Sequence, residues 1–279
     1  MPISFRQVGP CFAAEVDGID IAKPLTPAEV AAIHRGMDQY AVLIFRRQPI
    51  DDAQQLAFTR SLGEIEEAIA TGLRKPHEQR LPNTFADVSN LDKDNKPFAR
   101  DDRRRLFSLG NQLWHSDSSF KVVPAKYSLL HARSVVSKGG NTEFADMRAA
   151  YDALSDAQRA VVDPLVVEHD IFWSRGVIGF SNFEPGDRET YPPSRQPLVR
   201  THPGSNRKCL YLSAHASHIV GMPVPEGRLL LRDLDEHATQ RQFVYSHKWA
   251  VGDLVIWDNR CTMHRGRPHE EMAPRDLRR

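Results

Sequence analysis

The chain has 279 residues, 41% of them hydrophobic, with 37 Lys and Arg against 36 Asp and Glu for a formal net charge of +1. That length can bury a substantial core, and the even charge excludes nucleic acid and acidic membrane surfaces as the main partner. The longest obvious apolar run, 41–45, is far short of the ~18 residues that cross a bilayer, 1–6 shows no basic-then-apolar signal pattern, and Cys11, Cys209 and Cys261 form neither a metal-type pair nor a disulfide framework, so a cytoplasmic protein off the membrane is expected.

In chain order, Thr26-Pro27-Ala28-Glu29 is a capping box with Pro at the first helical position, and Val30, Ile33 and Met37 follow at helical spacing, which predicts a helix over 27–40. A short buried strand, 42–45, comes next, then a second helix over 52–62 with Gly63 as its stop. Residues 64–110 are polar and broken by Pro76, Pro82 and Pro97. They read as largely loop, with one short strand at 87–89, and as the lid of a site within a single domain spanning 1–279. The run Asp101-Asp102-Arg103-Arg104-Arg105 in that stretch reads most simply as solvated surface.

From residue 126 strands dominate. An apolar strand over 127–136 turns through Gly139-Gly140-Asn141 into 142–144, and two short helices follow, the second capped by Ser155. A hairpin is expected around 202–206 and a helix over 226–238. Two further strands, 243–249 and 254–257, are joined through Gly252-Asp253. Many short strands with flanking helices and no βαβ rhythm indicate a mainly β sandwich or barrel.

Most of the 12 His need no special role, and His34, His77, His169, His237 and His269 read as surface or packed residues. His115 differs. Trp114-His115-Ser116-Asp117 places an imidazole and a carboxylate two apart, on one face of an extended chain with Cα atoms roughly 7 Å apart. A lone His-x-Asp arises often by chance. It gains weight from 257–266, where a strand ends in a polar turn before His264. Two imidazoles and one carboxylate form the three-ligand face that suits non-heme Fe(II), whereas a structural zinc site is closed by four ligands. Arg275 and Arg279, if on a strand, share one face about 13 Å apart with Arg278 facing away. An inward guanidinium is costly unless it meets an anion.

The segments 111–120, 139–148 and 257–264, with 214–218 and 236–241 in support, resemble the Fe(II)/2-oxoglutarate dioxygenases of the taurine dioxygenase superfamily, and within it the 2,4-dichlorophenoxyacetate dioxygenases. The resemblance runs from about residue 10 to the end and is thinnest across 64–86. It implies a double-stranded β-helix (jelly roll), with Fe(II), 2-oxoglutarate and O2 as cofactor and cosubstrates. It implies iron ligands His115, Asp117 and His264. It also implies that Thr142 and Arg275, eleven residues after His264, hold 2-oxoglutarate. Arg279 matches the position that holds the acidic group of the prime substrate, Asn111 matches a substrate-side amide, and His202 and His218 match histidines that line the pocket. Related chains continue past the last Arg, so a terminal carboxylate at Arg279 would compete for that guanidinium. The implied reaction hydroxylates the carbon beside an aryl ether oxygen, giving a phenol, glyoxylate, succinate and CO2. A carboxylate at position 117 speaks for hydroxylation over halogenation. The rival readings are a sister dioxygenase for an alkylsulfonate, a sulfate ester or another organic acid, a zinc hydrolase on the same ligands, and a non-catalytic metal and small-acid binder. In each the partner is a small organic acid, with a homo-oligomer left open.

Overall fold

The computed structural model describes residues 2–66, 79–184 and 186–279. Its main sheet has six strands in the order Ser4–Gln7, Ala14–Asp17, Val42–Phe45, Leu254–Asp258, Tyr127–Ser134 and Asp276–Arg278. Pairing is antiparallel throughout except between Ala14–Asp17 and Val42–Phe45. A three-stranded sheet sets Thr142–Asp146 between Val244–His247 and Thr262–Gly266, a second sets Val166–His169 between Ala216–Ile219 and Ser194–Pro197, and Val199–Thr201 pairs with Lys208–Leu210.

The unbroken apolar strands of the main sheet follow from burial on both faces. Val42, Ile44, Val255, Trp257 and Leu277 share a core with Phe144, Ala145, Val167, Ile219 and Met263 of the smaller sheets, which therefore face the large one. Leu43, Phe45, Leu254 and Ile256 point the other way, onto Ile33, Met37, Phe58 and Leu62 of helices Pro27–Tyr40 and Asp52–Leu62. Two packed β layers with helices outside make the jelly roll that the sequence implies. No helix among the described residues is long and apolar enough to cross a membrane.

The capping boxes at Thr26 and Ser155 form as expected. Three expectations need amending. The 64–110 stretch is not all loop: its described part contains helix Arg103–Ser108, capped by Asp102, and a 3-10 turn Leu109–Gln112. The Arg run lies within that helix, and Arg105 pairs with Glu271. The strand expected at 87–89 is reduced to an isolated antiparallel bridge between Asp87 and Arg278. His169 lies fully buried in the core (0% exposed), and His77 lies outside the described residues.

Candidate metal centre

His115 and His264 face each other across an isolated antiparallel bridge that joins the segment after the 3-10 turn to strand Thr262–Gly266. Each backbone N–H donates to the other residue's carbonyl, at 2.9 and 2.8 Å. Directly opposed residues carry their side chains to the same side, and the two imidazoles stand 4.2 Å apart between ring centroids. Asp117, two residues on, brings its carboxylate to 3.9 Å from His115 Nε2 and 3.6 Å from His264 Nε2. One ligand atom from each residue lies within 4.8 Å of the other two.

Hydrogen bonds aim these groups. His115 Nδ1–H donates to Leu113 O at 2.8 Å, which leaves the Nε2 lone pair on the Asp117 side. Ser128 Oγ donates to Asp117 Oδ2 at 2.7 Å and accepts from Asn259 Nδ2 at 2.9 Å. Asn259 Oδ1 accepts from Trp257 Nε1 at 3.0 Å and from the Asp117 N–H at 3.3 Å. Arg279 donates to Asp117 Oδ1.

Burial pushes His115 below and His264 well below the usual imidazole range, so both stay neutral and able to ligate. Burial pushes Asp117 up, but Arg279, His264, His115 and Ser128 together outweigh it and hold the carboxyl well below the ordinary value. Two neutral imidazoles and an ionised carboxylate fit a divalent metal of the ferrous kind.

The triad stands where two cavities meet. The smaller, about 150 Å³, is lined by His115, His264, Trp257, Thr142 and Arg275. Thr142 Oγ1 accepts from Trp249 Nε1 at 2.9 Å, which leaves its own O–H to donate. Arg275 is buried, and among the described residues its guanidinium donates to the carbonyls of Val88 (3.2 Å) and Gly140 (3.5 Å). Burial pushes its pKa down to about 10. The larger cavity, about 640 Å³, is walled by Asp117, Phe107, Phe120, Ile171, Arg175 and His215, and residues from 64–66 and 79–88 also line it. Asn111 and Arg279 border both cavities.

Arg275 and Arg279 flank strand Asp276–Arg278, and Arg278 turns outward to Asp52. The Arg279 backbone is paired on both sides: its N–H donates to Ala86 O at 3.0 Å, and its carbonyl accepts from the Ala86 N–H at 2.8 Å. Its guanidinium meets Asp117.

Two expected pocket residues lie elsewhere. His202 is in the core, where Nδ1 accepts from the Ser205 N–H at 3.1 Å and Nε2–H therefore donates to Asp258 Oδ2 at 3.0 Å. Asp258 also holds Arg260. Cys261 completes a second group of possible metal donors there, yet the proton on His202 Nε2 and the Arg260 pair already satisfy that carboxylate. His218 is half-buried on strand Ala216–Ile219 beside Ser217 and Glu168, and lines neither cavity. Beside the ligand His115, the larger cavity is lined by His215, three residues before His218, whose Nδ1 lies 2.9 Å from Ser174 Oγ. Sequence reasoning also missed Ser128, Asn259 and Arg175. Asn259 stood inside a motif already singled out, and Arg175 was the one basic residue in the apolar stretch 171–178.

Comparison with known proteins agrees with this geometry. The model of the family described as "Taurine catabolism dioxygenase TauD, TfdA family" matches residues 4–279. The chain is 47% identical to the alpha-ketoglutarate-dependent 2,4-dichlorophenoxyacetate dioxygenase of Cupriavidus pinatubonensis, across 100% of this chain and 97% of that protein. It is 35% identical to the (S)-phenoxypropionate/alpha-ketoglutarate-dioxygenase of Delftia acidovorans, across 98% and 92%. Among solved structures, that of AAD-2 in complex with Mn(II) and N-oxalylglycine superposes with a TM-score of 0.96 at 54% identity, covering 100% of this chain and 96% of that one.

Proposed function

Because the chain belongs to the TauD, TfdA dioxygenase family, we propose that it is an Fe(II)/2-oxoglutarate-dependent dioxygenase that oxidises a small aryloxy acid such as 2,4-dichlorophenoxyacetate. The observation that carries this reading is the His115–Asp117–His264 triad, two neutral imidazoles and an ionised carboxylate, at the junction of a small cavity and a larger one. The high identity to 2,4-dichlorophenoxyacetate dioxygenases supports the substrate class.

His115, Asp117 and His264 would hold the iron. When bound, it supplies the two-electron oxidation, spending O2 and turning 2-oxoglutarate into succinate and CO2. Thr142 and Arg275 would hold the far carboxylate of 2-oxoglutarate. The small cavity suits a C5 diacid, and N-oxalylglycine, present in the AAD-2 structure, has the same pair of carboxylates. The larger cavity would take the aryl ring against Phe107, Phe120 and Ile171, with Asn111 and Arg279 facing the substrate from the junction. The substrate carbon beside the ether oxygen exchanges a C–H for a C–OH bond. The resulting hemiacetal collapses to a phenol and glyoxylate: the bond between that carbon and the ether oxygen breaks, the oxygen stays on the ring, and it takes up the proton that the hydroxyl releases. The described parts of 64–110 line the larger cavity, in keeping with a lid on a single dioxygenase domain. The three cysteines are free, in keeping with a reducing cytoplasm.

Aerobic incubation with Fe(II), 2-oxoglutarate and phenoxyacetate is expected to release succinate and glyoxylate in equal amounts. Taurine and an alkyl sulfate ester serve as parallel substrates. Succinate with either of these and none with phenoxyacetate would move the enzyme to a sister activity. An absence of O2-dependent succinate with every acid would leave a binding protein.

A further inference from the structure

Among the described residues, both cavities contain a buried guanidinium with no carboxylate paired to it. Arg275 in the small one is the residue proposed to hold a cosubstrate carboxylate. Its counterpart in the larger cavity is Arg175, on helix Ile171–Val177, only 5% exposed. Among the described residues it forms no ion pair. Its polar contacts are to Ser174 Oγ at 3.2 Å and Asn111 Oδ1 at 3.4 Å, and its Nε has no partner. Burial pushes its pKa down to about 10, as for Arg275.

The surroundings are shaped to admit this charge. The guanidinium carbon lies 4.4 Å from the Phe107 ring centre. A Cβ at Gly110 would fall 2.4 Å from Arg175 Nη1, so only glycine leaves the room. The other guanidinia lining this cavity have anionic partners: Arg104 holds Asp102, and Arg279 holds Asp117. A buried cation without an anion is costly, and a bound carboxylate would offset that cost.

We infer that Arg175 binds the anionic group of the organic-acid substrate in the larger cavity, with Asn111 orienting its fork and Arg279 supplementing it from the junction. This rests on the function proposed above and adds a second guanidinium to Arg279, the residue that the family resemblance already sets against the acid.

The test compares phenoxyacetate with the neutral phenoxyacetamide for the wild type, Arg175→Gln and Arg175→Lys, with KM for 2-oxoglutarate measured alongside. Removing a charge-assisted fork is expected to raise KM for the acid about 10- to 100-fold. The amide and 2-oxoglutarate should change by about twofold or less, and Lys should fall between Gln and wild type because it keeps the charge but loses the fork. Gly110→Ala provides a second route, since it displaces the guanidinium while retaining it, and it is expected to weaken acid and amide unequally in the same sense. Wild-type KM for the acid in Arg175→Gln, equal losses for acid and amide, or a loss confined to 2-oxoglutarate would each overturn the inference while leaving the dioxygenase intact. A wild-type protein that makes no succinate with any acid would overturn the proposed function itself.

Discussion

The two oxygens of Asp117 face different partners, and that division organises the site residue by residue. Oδ2 is fixed by Ser128, which is itself fixed by Asn259 and, through it, by Trp257. Oδ1 faces Arg279. Such outer hydrogen bonds commonly set metal affinity within a factor of 10–100. Ser128→Ala is therefore expected to weaken Mn(II) or Co(II) binding by about that factor in calorimetry, with little change in Tm; unchanged affinity would reduce the relay to packing. His-x-Asp and the second His were legible because each residue type has a required chemistry at a required spacing. Ser128 and Asn259 were not, since a hydroxyl and an amide acquire their roles only from what they touch. His202 and His218 fail for the same reason: the resemblance supplied a residue type, and the local partners Asp258, Ser205 and Glu168 decide where the ring goes.

At the scale of elements, capping and apolar patterning made the outer helices readable, while the strands needed tertiary context. Thr26 and Asp51 each complete a capping box, so Asp51→Ala is expected to cost about 1 kcal/mol, read as a lower urea midpoint. A loss below about 0.3 kcal/mol would mean that the helix start is held by packing instead. Strand Val42–Phe45 shows the limit of period-two reading. Its four residues are all buried because the layers on both sides are apolar, so the sequence reveals a strand without saying which face meets which layer. Leu43→Ala, which empties a site against the outer helices, is expected to cost 2–5 kcal/mol on the scale seen for large-to-small core changes, roughly, without altering metal binding. On strand Val166–His169, burial pushes His169 down to about 3, and its Nε2 has no hydrogen-bond partner among the described residues. The unfolded chain takes up that proton below about 6.5, and the folded one does not until about 3. This group's contribution is therefore whole above pH 6.5 and is lost as pH falls through that window, by up to about 1.4 kcal/mol per pH unit. His169→Gln should flatten the decline in urea midpoint between about pH 6 and 4 by that slope. An equally steep decline would assign the acid sensitivity to the other buried imidazoles.

Across the whole molecule, the jelly roll brings together residues 115, 117 and 264 by placing two sequence-distant segments edge to edge in one bridge. It also sets a small cavity and a larger one on either side of them, each with a buried guanidinium that has no ion-pair partner among the described residues. Family resemblance made the jelly roll legible, and it named Thr142 and Arg275, which line the small cavity. The wall of the larger cavity, with Arg175 and His215, was not, because it is assembled from a short helix and loops whose side chains carry no local signature. Titration of the apo protein with Mn(II), in the wild type and in His115→Ala, Asp117→Ala and His264→Ala, probes the meeting of those segments most directly. One ion per wild-type chain is expected, with affinity greatly reduced in all three variants and their far-UV spectra unchanged. A folded His264→Ala variant that binds Mn(II) as tightly as the wild type would contradict a shared centre.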